Sequence, residues 1–282
     1  MKNAPASSPI FETLARANLI RFLRTGDSKS EEFIGNLIEE CESQRASSAL
    51  GKQLHNCRAG GWLTAGNGEQ FDKNADAIRR RTWSFFSRML TAAQGKLQQR
   101  QERWRQVKSD TQQPTEALKS VEEDIQRITS LVHDVASQLL FASGAFDNPQ
   151  DRDNKRLTPT QLRRFWNESA PLFALLTNEP HPNIAHHIVQ TLEHLMPCAP
   201  GEVFLLATKS ICTSSAAGFQ YDSLALGAVV KLIQRALADH REIFQDKTSD
   251  CLEALLKVLD LFVEAGWPQA RQLTHRLEEI YR

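Results

Sequence analysis

The chain has 282 residues, 41% of them hydrophobic and 24% charged, a composition that supports one large or two modest packed domains. Its 34 basic and 34 acidic residues cancel. No whole-molecule field therefore draws it to nucleic acid or to a membrane, and either partner must be met by a local patch.

Apolar residues return every three to four positions along the chain, and sustained period-two alternation is missing, so the chain is read as all-α. In the first segment, residues 1–70, Phe11, Leu14, Ala15, Leu19, Phe22 and Leu23 form one stripe, which Gly26-Asp27 ends. Ser30 is the expected N-cap of a second helix carrying Phe33, Ile34, Leu37, Ile38 and Cys41. The glycine-rich run from Gly60 to Gly68 marks a boundary.

The second segment, 71–145, reads as a long antiparallel helical hairpin. Its first helix carries Ile78, Trp83, Phe86, Leu90, Ala93, Leu97 and Trp104 in a narrow apolar arc. The polar run from Ser109 to Pro114 interrupts the pattern. A second helix then carries Leu118, Val121, Ile125, Ile128, Leu131, Val132, Val135, Leu139 and Leu140 at coiled-coil spacing. At 1.5 Å per residue such a hairpin is expected to protrude by ~45 Å.

After a polar linker at 147–154, the third segment, 155–282, holds several shorter helices. Thr158-Pro159-Thr160-Gln161 has the form of a capping box with proline at the first helical position. Pro171 kinks that helix or starts its successor. Pro182 and Pro200 start the next two, and Pro197 stops the first of them. A further helix is expected from Tyr221 to Phe244, and another through Leu252–Val263, capped by Gly266. Pro268 opens a last one with Leu273, Leu277 and Ile280 on its apolar face. Helices of this length joined by short turns suggest HEAT- or armadillo-like stacked pairs, with an irregular helical bundle as the alternative.

The last third of the chain carries Val229-Val230-Lys231-Leu232, then the run from Leu255 through Phe262-Val263-Glu264-Ala265-Gly266-Trp267-Pro268 to Ala270, and finally Leu273 with Arg276-Leu277-Glu278-Glu279-Ile280. In these residues it resembles the C-terminal HEAT-like helical regions of very large bacterial scaffold and ATPase proteins. The resemblance implies a scaffold inside a larger system, such as one of bacterial defence. The chain lacks the phosphate-binding motif that an ATPase needs.

Motifs that carry chemistry are sparse. Gly51-Lys52-Gln53 lacks the upstream glycine and the hydroxyl of a phosphate loop. His181, His186, His187 and His194 lie close in sequence without zinc-ligand spacing, and are read as surface histidines. Cys41, Cys57, Cys198, Cys212 and Cys251 are scattered and odd in number, which argues for free thiols in a reducing compartment. With no signal-peptide pattern and no long apolar run, the chain is expected to be cytoplasmic, with no membrane partner. No nucleophile elbow occurs, so no enzyme activity and no cofactor is expected.

One feature rises above this background. Arg79, Arg80, Arg81, Arg88, Lys96, Arg100, Arg103, Arg105 and Lys108 lie on one helix, opposed there only by Glu102. Arg81, Arg88, Lys96 and Arg103 project opposite the apolar arc. The cationic face suits phosphates or an acidic partner, or it pairs with Glu116, Glu122, Glu123, Asp124 and Asp134 of the partner helix. The expected function is a non-enzymatic scaffold or adaptor acting through protein–protein contacts as a subunit of a larger assembly. The alternative is a subunit that binds DNA or RNA through residues 79–108. Trp62, Trp267 and the exposed arginines are the expected anchors, while Trp83, Trp104 and Trp166 belong to the core.

Overall fold

The computed structural model describes residues 9–65, 73–109, 115–146, 157–216, 223–245 and 249–266. Among them are eleven α-helices, two short 3-10 turns and no strand. The all-α reading of the sequence therefore holds. The chain divides into two compact units, 1–138 and 139–282, so the predicted segments 1–70 and most of 71–145 fall together in the first.

In the first unit α1 (Pro9–Thr25), α2 (Ser28–Glu39) and α3 (Gln44–Ala59) pack on one another, and α1 and α2 also pack on α4 (Lys73–Ser109). The core of α1 is Ala15, Leu19, Phe22 and Leu23. Leu14, expected on the same stripe, is about half exposed at 48%. The helix ends at Gly26, whose φ of 71° suits a residue without a Cβ.

Asp27, not Ser30, caps α2. Its carboxylate accepts the Ser30 backbone N–H at 3.0 Å and the Ser30 hydroxyl at 2.7 Å, and these bonds hold it below the usual carboxylate range. The sequence reading placed no helix over α3. That helix buries Ala46, Ala49, Leu50, Gln53, Leu54 and Cys57, a face too poor in large apolar residues to stand out.

α4 and α5 (Thr115–Ser143) are antiparallel. Trp104 Nε1 donates to Glu122 at 3.0 Å and Arg100 Nε meets Asp124 at 3.3 Å, so positions before the connection meet positions equally far beyond it. α4 buries Trp83, Phe85, Phe86, Met89, Leu90, Ala93 and Leu97, and α5 buries Val121, Ile128, Leu131, Val132 and Val135. Beyond Leu97, α4 buries no side chain. Arg100 is the last α4 residue to reach the N-terminal elements, so the free part of α4 is about nine residues, or ~14 Å, short of the expected ~45 Å. The difference arises because α1–α3 cover the rest.

In the second unit, Thr158 and Gln161 form the predicted capping box at the start of α6 (Pro159–Leu176). Pro171 lies inside that helix and does not end it. α7 (Pro182–Leu195) packs against α6, α8 (Pro200–Ala216) and α9 (Ser223–Asp239), and α8 packs against α11 (Cys251–Glu264). The single helix expected from Tyr221 to Phe244 is broken at His240, and α10 (Glu242–Gln245) follows it. α10 places Phe244 edge-on to Phe204, with ring centroids 5.1 Å apart. Gly266 has a φ of 73°, as the predicted terminal cap requires. The predicted last helix and Trp267 lie outside the described residues.

Candidate interaction surface on the long helical hairpin

The basic residues of α4 divide into three groups according to what they meet. Arg79 is buried at 2% exposure. It pairs with Asp76 one turn back and donates from Nη1 to the Ala65 carbonyl at 2.7 Å. An unpaired guanidinium at such a site would be costly, so Arg79 belongs to the fold. Arg80 is largely exposed and leans back on Asp76 at 2.7 Å.

The second group is a ladder directed at α1, α2 and the α2–α3 loop. Arg81 Nη1 donates to the Leu23 carbonyl at 2.9 Å and to the Arg24 carbonyl at 3.4 Å. It thus caps the carbonyl end of α1, where intrahelical donors have run out. A Cβ on Gly26 would lie 2.9 Å from the same guanidinium, so glycine there serves the turn and makes room for Arg81. Arg88 meets Glu31 at 3.0 Å, and Lys96 meets Glu42 at 3.0 Å. Arg100 reaches Glu42 at 3.5 Å and Asp124 at 3.3 Å.

Internal pairing was expected to fall on the acidic face of α5. Most of it falls on the N-terminal helices instead, and in the ladder only Arg100 reaches α5. The reason is that α2 runs in the same direction as α4: residues 23, 31 and 42 meet 81, 88 and 96 in turn. The face opposite the apolar arc is thus a second packed face.

Glu42 is the hub of this ladder. Its Oε1 takes Lys96 and Arg100, and its carbonyl takes Arg127 Nε at 3.0 Å. Burial alone would raise its carboxyl. The backbone N–H and the two cations outweigh burial and hold it below the ordinary value. Glu122, Glu123 and Asp124 are used, by Trp104, Arg127 and Arg100.

The third group stands at the hairpin tip. Arg103, Arg105 and Lys108 are exposed. Arg103 and Arg105 form no ion pair among the described residues. Lys108 Nζ lies 4.3 Å from the Trp104 ring centroid, a cation–π contact. Trp104, expected in the core, is only partly covered, because no third helix reaches this level of the hairpin. The indole, Leu118 and Ile125 are all half-buried on this part of the hairpin.

Elsewhere the sequence-derived candidates are dispersed. Trp83 and Trp166 are core residues, and Trp62 is half-buried over Gly60. His181 caps α7, its Nδ1 accepting the Asn183 N–H at 3.3 Å. His186 is half-buried, not a surface residue. Its Nδ1 is cut off from water without a hydrogen-bond partner among the described residues, and burial lowers its pKa. Among the described residues no three His, Cys, Asp or Glu side chains are grouped to hold a metal. No described helix is long and apolar enough to cross a membrane. All five cysteines are free, and burial pushes the Cys41 thiol up to about 11.

Set against protein-family models, curated proteins and solved structures, the chain gives no match.

Proposed function

We propose that this chain is a non-enzymatic helical scaffold or adaptor that works through protein–protein contacts within a larger assembly. The observation that carries this reading is the hairpin tip. It holds a half-covered Trp104 with Lys108 against its ring and the exposed Arg103 and Arg105 on either side of it in sequence, on helices whose lower turns are fixed by a continuous core. Tryptophan and arginine on a rigid element are the residue types that dominate binding energy at interfaces. The three cations select an acidic rim on the partner. In the second unit the packing of α7 on α9 and of α8 on α11 supports stacked helix pairs of the HEAT kind.

The test is affinity capture of partners from the host with wild-type chain and with a tip variant, Trp104→Ala with Arg103→Gln and Arg105→Gln. Loss of the same specific partner from an equally stable variant is the expected result. A partner held equally by both would refute a role for the tip.

Nucleic acid is the second reading, favoured by the same three cations beside an aromatic ring. Of the nine basic residues from 79 to 108, Arg103, Arg105 and Lys108 are exposed with no ion pair to a carboxylate among the described residues, so this stretch can neutralise few phosphates. The slope of log affinity against log salt should then be no steeper than about −3. A slope near −6 would require cations beyond Arg103, Arg105 and Lys108, and would overturn the placement of this surface at the tip.

A further inference from the structure

Within the first unit α3 and α5 run side by side in the same direction. Arg58 Nε donates to Gln138 Oε1 at 2.9 Å at one end, and Arg127 Nε donates to the Glu42 carbonyl, just ahead of α3, at the other. Between these ties the α3 side offers Ser47, Ser48 and Gly51. Their small side chains leave a groove of about 580 Å³ between the helices.

Asp134 of α5 lines this groove. Its Oδ2 lies 2.8 Å from the place a Cβ on Gly51 would take, and Leu131 Cδ2 stands 4.0 Å from the same point. Glycine at 51 therefore gives the carboxylate its position, and Leu131 gives it an apolar wall. Asp134 is half-buried and forms no hydrogen bond and no ion pair among the described residues. Burial raises its carboxyl above the ordinary value, although His133 and His55 pull the other way. The cations at the rim are already committed. Lys52 is held by Glu12, and Arg127 by Glu123 and Asp124. The groove thus contains one half-withdrawn carboxylate that no lysine or arginine pairs with among the described residues, its only opposing charges being the imidazoles of His133 and His55.

We propose that the α3–α5 groove binds an organic cation, a guanidinium or ammonium group on an aliphatic arm, with the Asp134 carboxylate as its counter-ion. A carboxylate withdrawn from water gains most from a donor that is itself charged, through a charge-assisted hydrogen bond. The cation would reach the Asp134 carboxylate from the open side of the groove, past Ser47, Ser48 and Ser130 of its lining. The groove lies apart from the hairpin tip, and its occupancy does not depend on the reading of the tip given above.

The experiment is calorimetric and NMR titration of the full chain with two probes, agmatine and a short neutral-capped peptide bearing a single arginine. The control is the urea analogue of agmatine, which keeps the shape and lacks the charge. Saturable binding of at least one probe is expected, with the urea analogue at least tenfold weaker. Asp134→Asn should weaken the probe at least tenfold while keeping the fold, because it removes a charge that has no partner to lose. Gly51→Ala, which displaces the carboxylate without removing it, should weaken binding severalfold. Binding of agmatine marks a free metabolite as the source of the cation, and binding of the peptide alone marks a protein side chain. The proposal is overturned if neither probe saturates up to about 10 mM. It is equally overturned if the urea analogue binds as well, or if the Asp134→Asn chain binds undiminished.

Discussion

Two residues show how single side chains set the balance in this protein. Glu42 receives two cations on its carboxylate and a third on its carbonyl, while its Oε2 is shut off from water with no partner among the described residues. Removing the carboxylate leaves Lys96 and Arg100 without their shared acceptor. Glu42→Ala is expected to cost about 1–3 kcal/mol, read from urea unfolding. His186 works in the opposite sense. Its folded pKa lies below the ordinary 6.5 because burial disfavours the imidazolium. As pH falls the unfolded chain takes up the proton first, so stability present above 6.5 is lost as pH drops towards the folded value. The melting temperature should fall between about pH 7 and pH 5, and His186→Gln should flatten that fall. At this scale the sequence was legible where local chemistry decides, as at the Thr158 capping box. It misled where two residues three positions apart both suit one role. Asp27 took the cap because a carboxylate accepts two bonds at once, from the Ser30 amide and the Ser30 hydroxyl.

Among the elements, α4 is the most informative, since its cations serve two purposes along one helix. Arg81→Gln is expected to destabilise by about 1 kcal/mol, since it uncaps the α1 carbonyls. Arg103→Gln, Arg105→Gln and Lys108→Gln should each stay within about 0.5 kcal/mol, because their side chains are exposed. Thermal melts of the four variants compare the two groups directly. Periodicity gave both hairpin helices from residues such as Phe86, Leu90 and Val132. It could not show which face of α4 the N-terminal helices cover, because a lysine or arginine stripe reads the same whether it faces water or a row of carboxylates. The same limit hid α3. Ala46, Ala49 and Cys57 bury well against neighbours, yet in sequence they look like any small-residue run. Asp134 was noted only as one acid among several, and its isolation depends on Gly51, far away in the chain.

At the scale of the whole molecule there are two units, each with its own buried side chains. The first gathers α1–α4 and nearly all of α5. Residues 1–146 made alone should therefore show helical circular dichroism and one cooperative melt. A gradual, featureless melt would count against an independent core. Composition allowed this without choosing it, since 282 residues at 41% hydrophobic content suffice for one large or two modest cores. It could not place the division inside a helix, because the period of α5 continues unchanged through Gln138 and Leu139. Several of the cations that looked available for a partner are matched by the chain's own carboxylates in the first unit.

The spacing of those pairs acts as a vernier. An apolar seam of leucine and phenylalanine tolerates sliding, since a shift of one helical turn brings similar side chains opposite one another. The rungs at 81, 88 and 96 do not tolerate it. A slip of ~5.4 Å would part Arg81 from the Leu23 carbonyl, Arg88 from Glu31 and Lys96 from Glu42 all together. Hydrophobic burial decides that α1 and α2 lie on α4, and the charged rungs decide at which notch they stop.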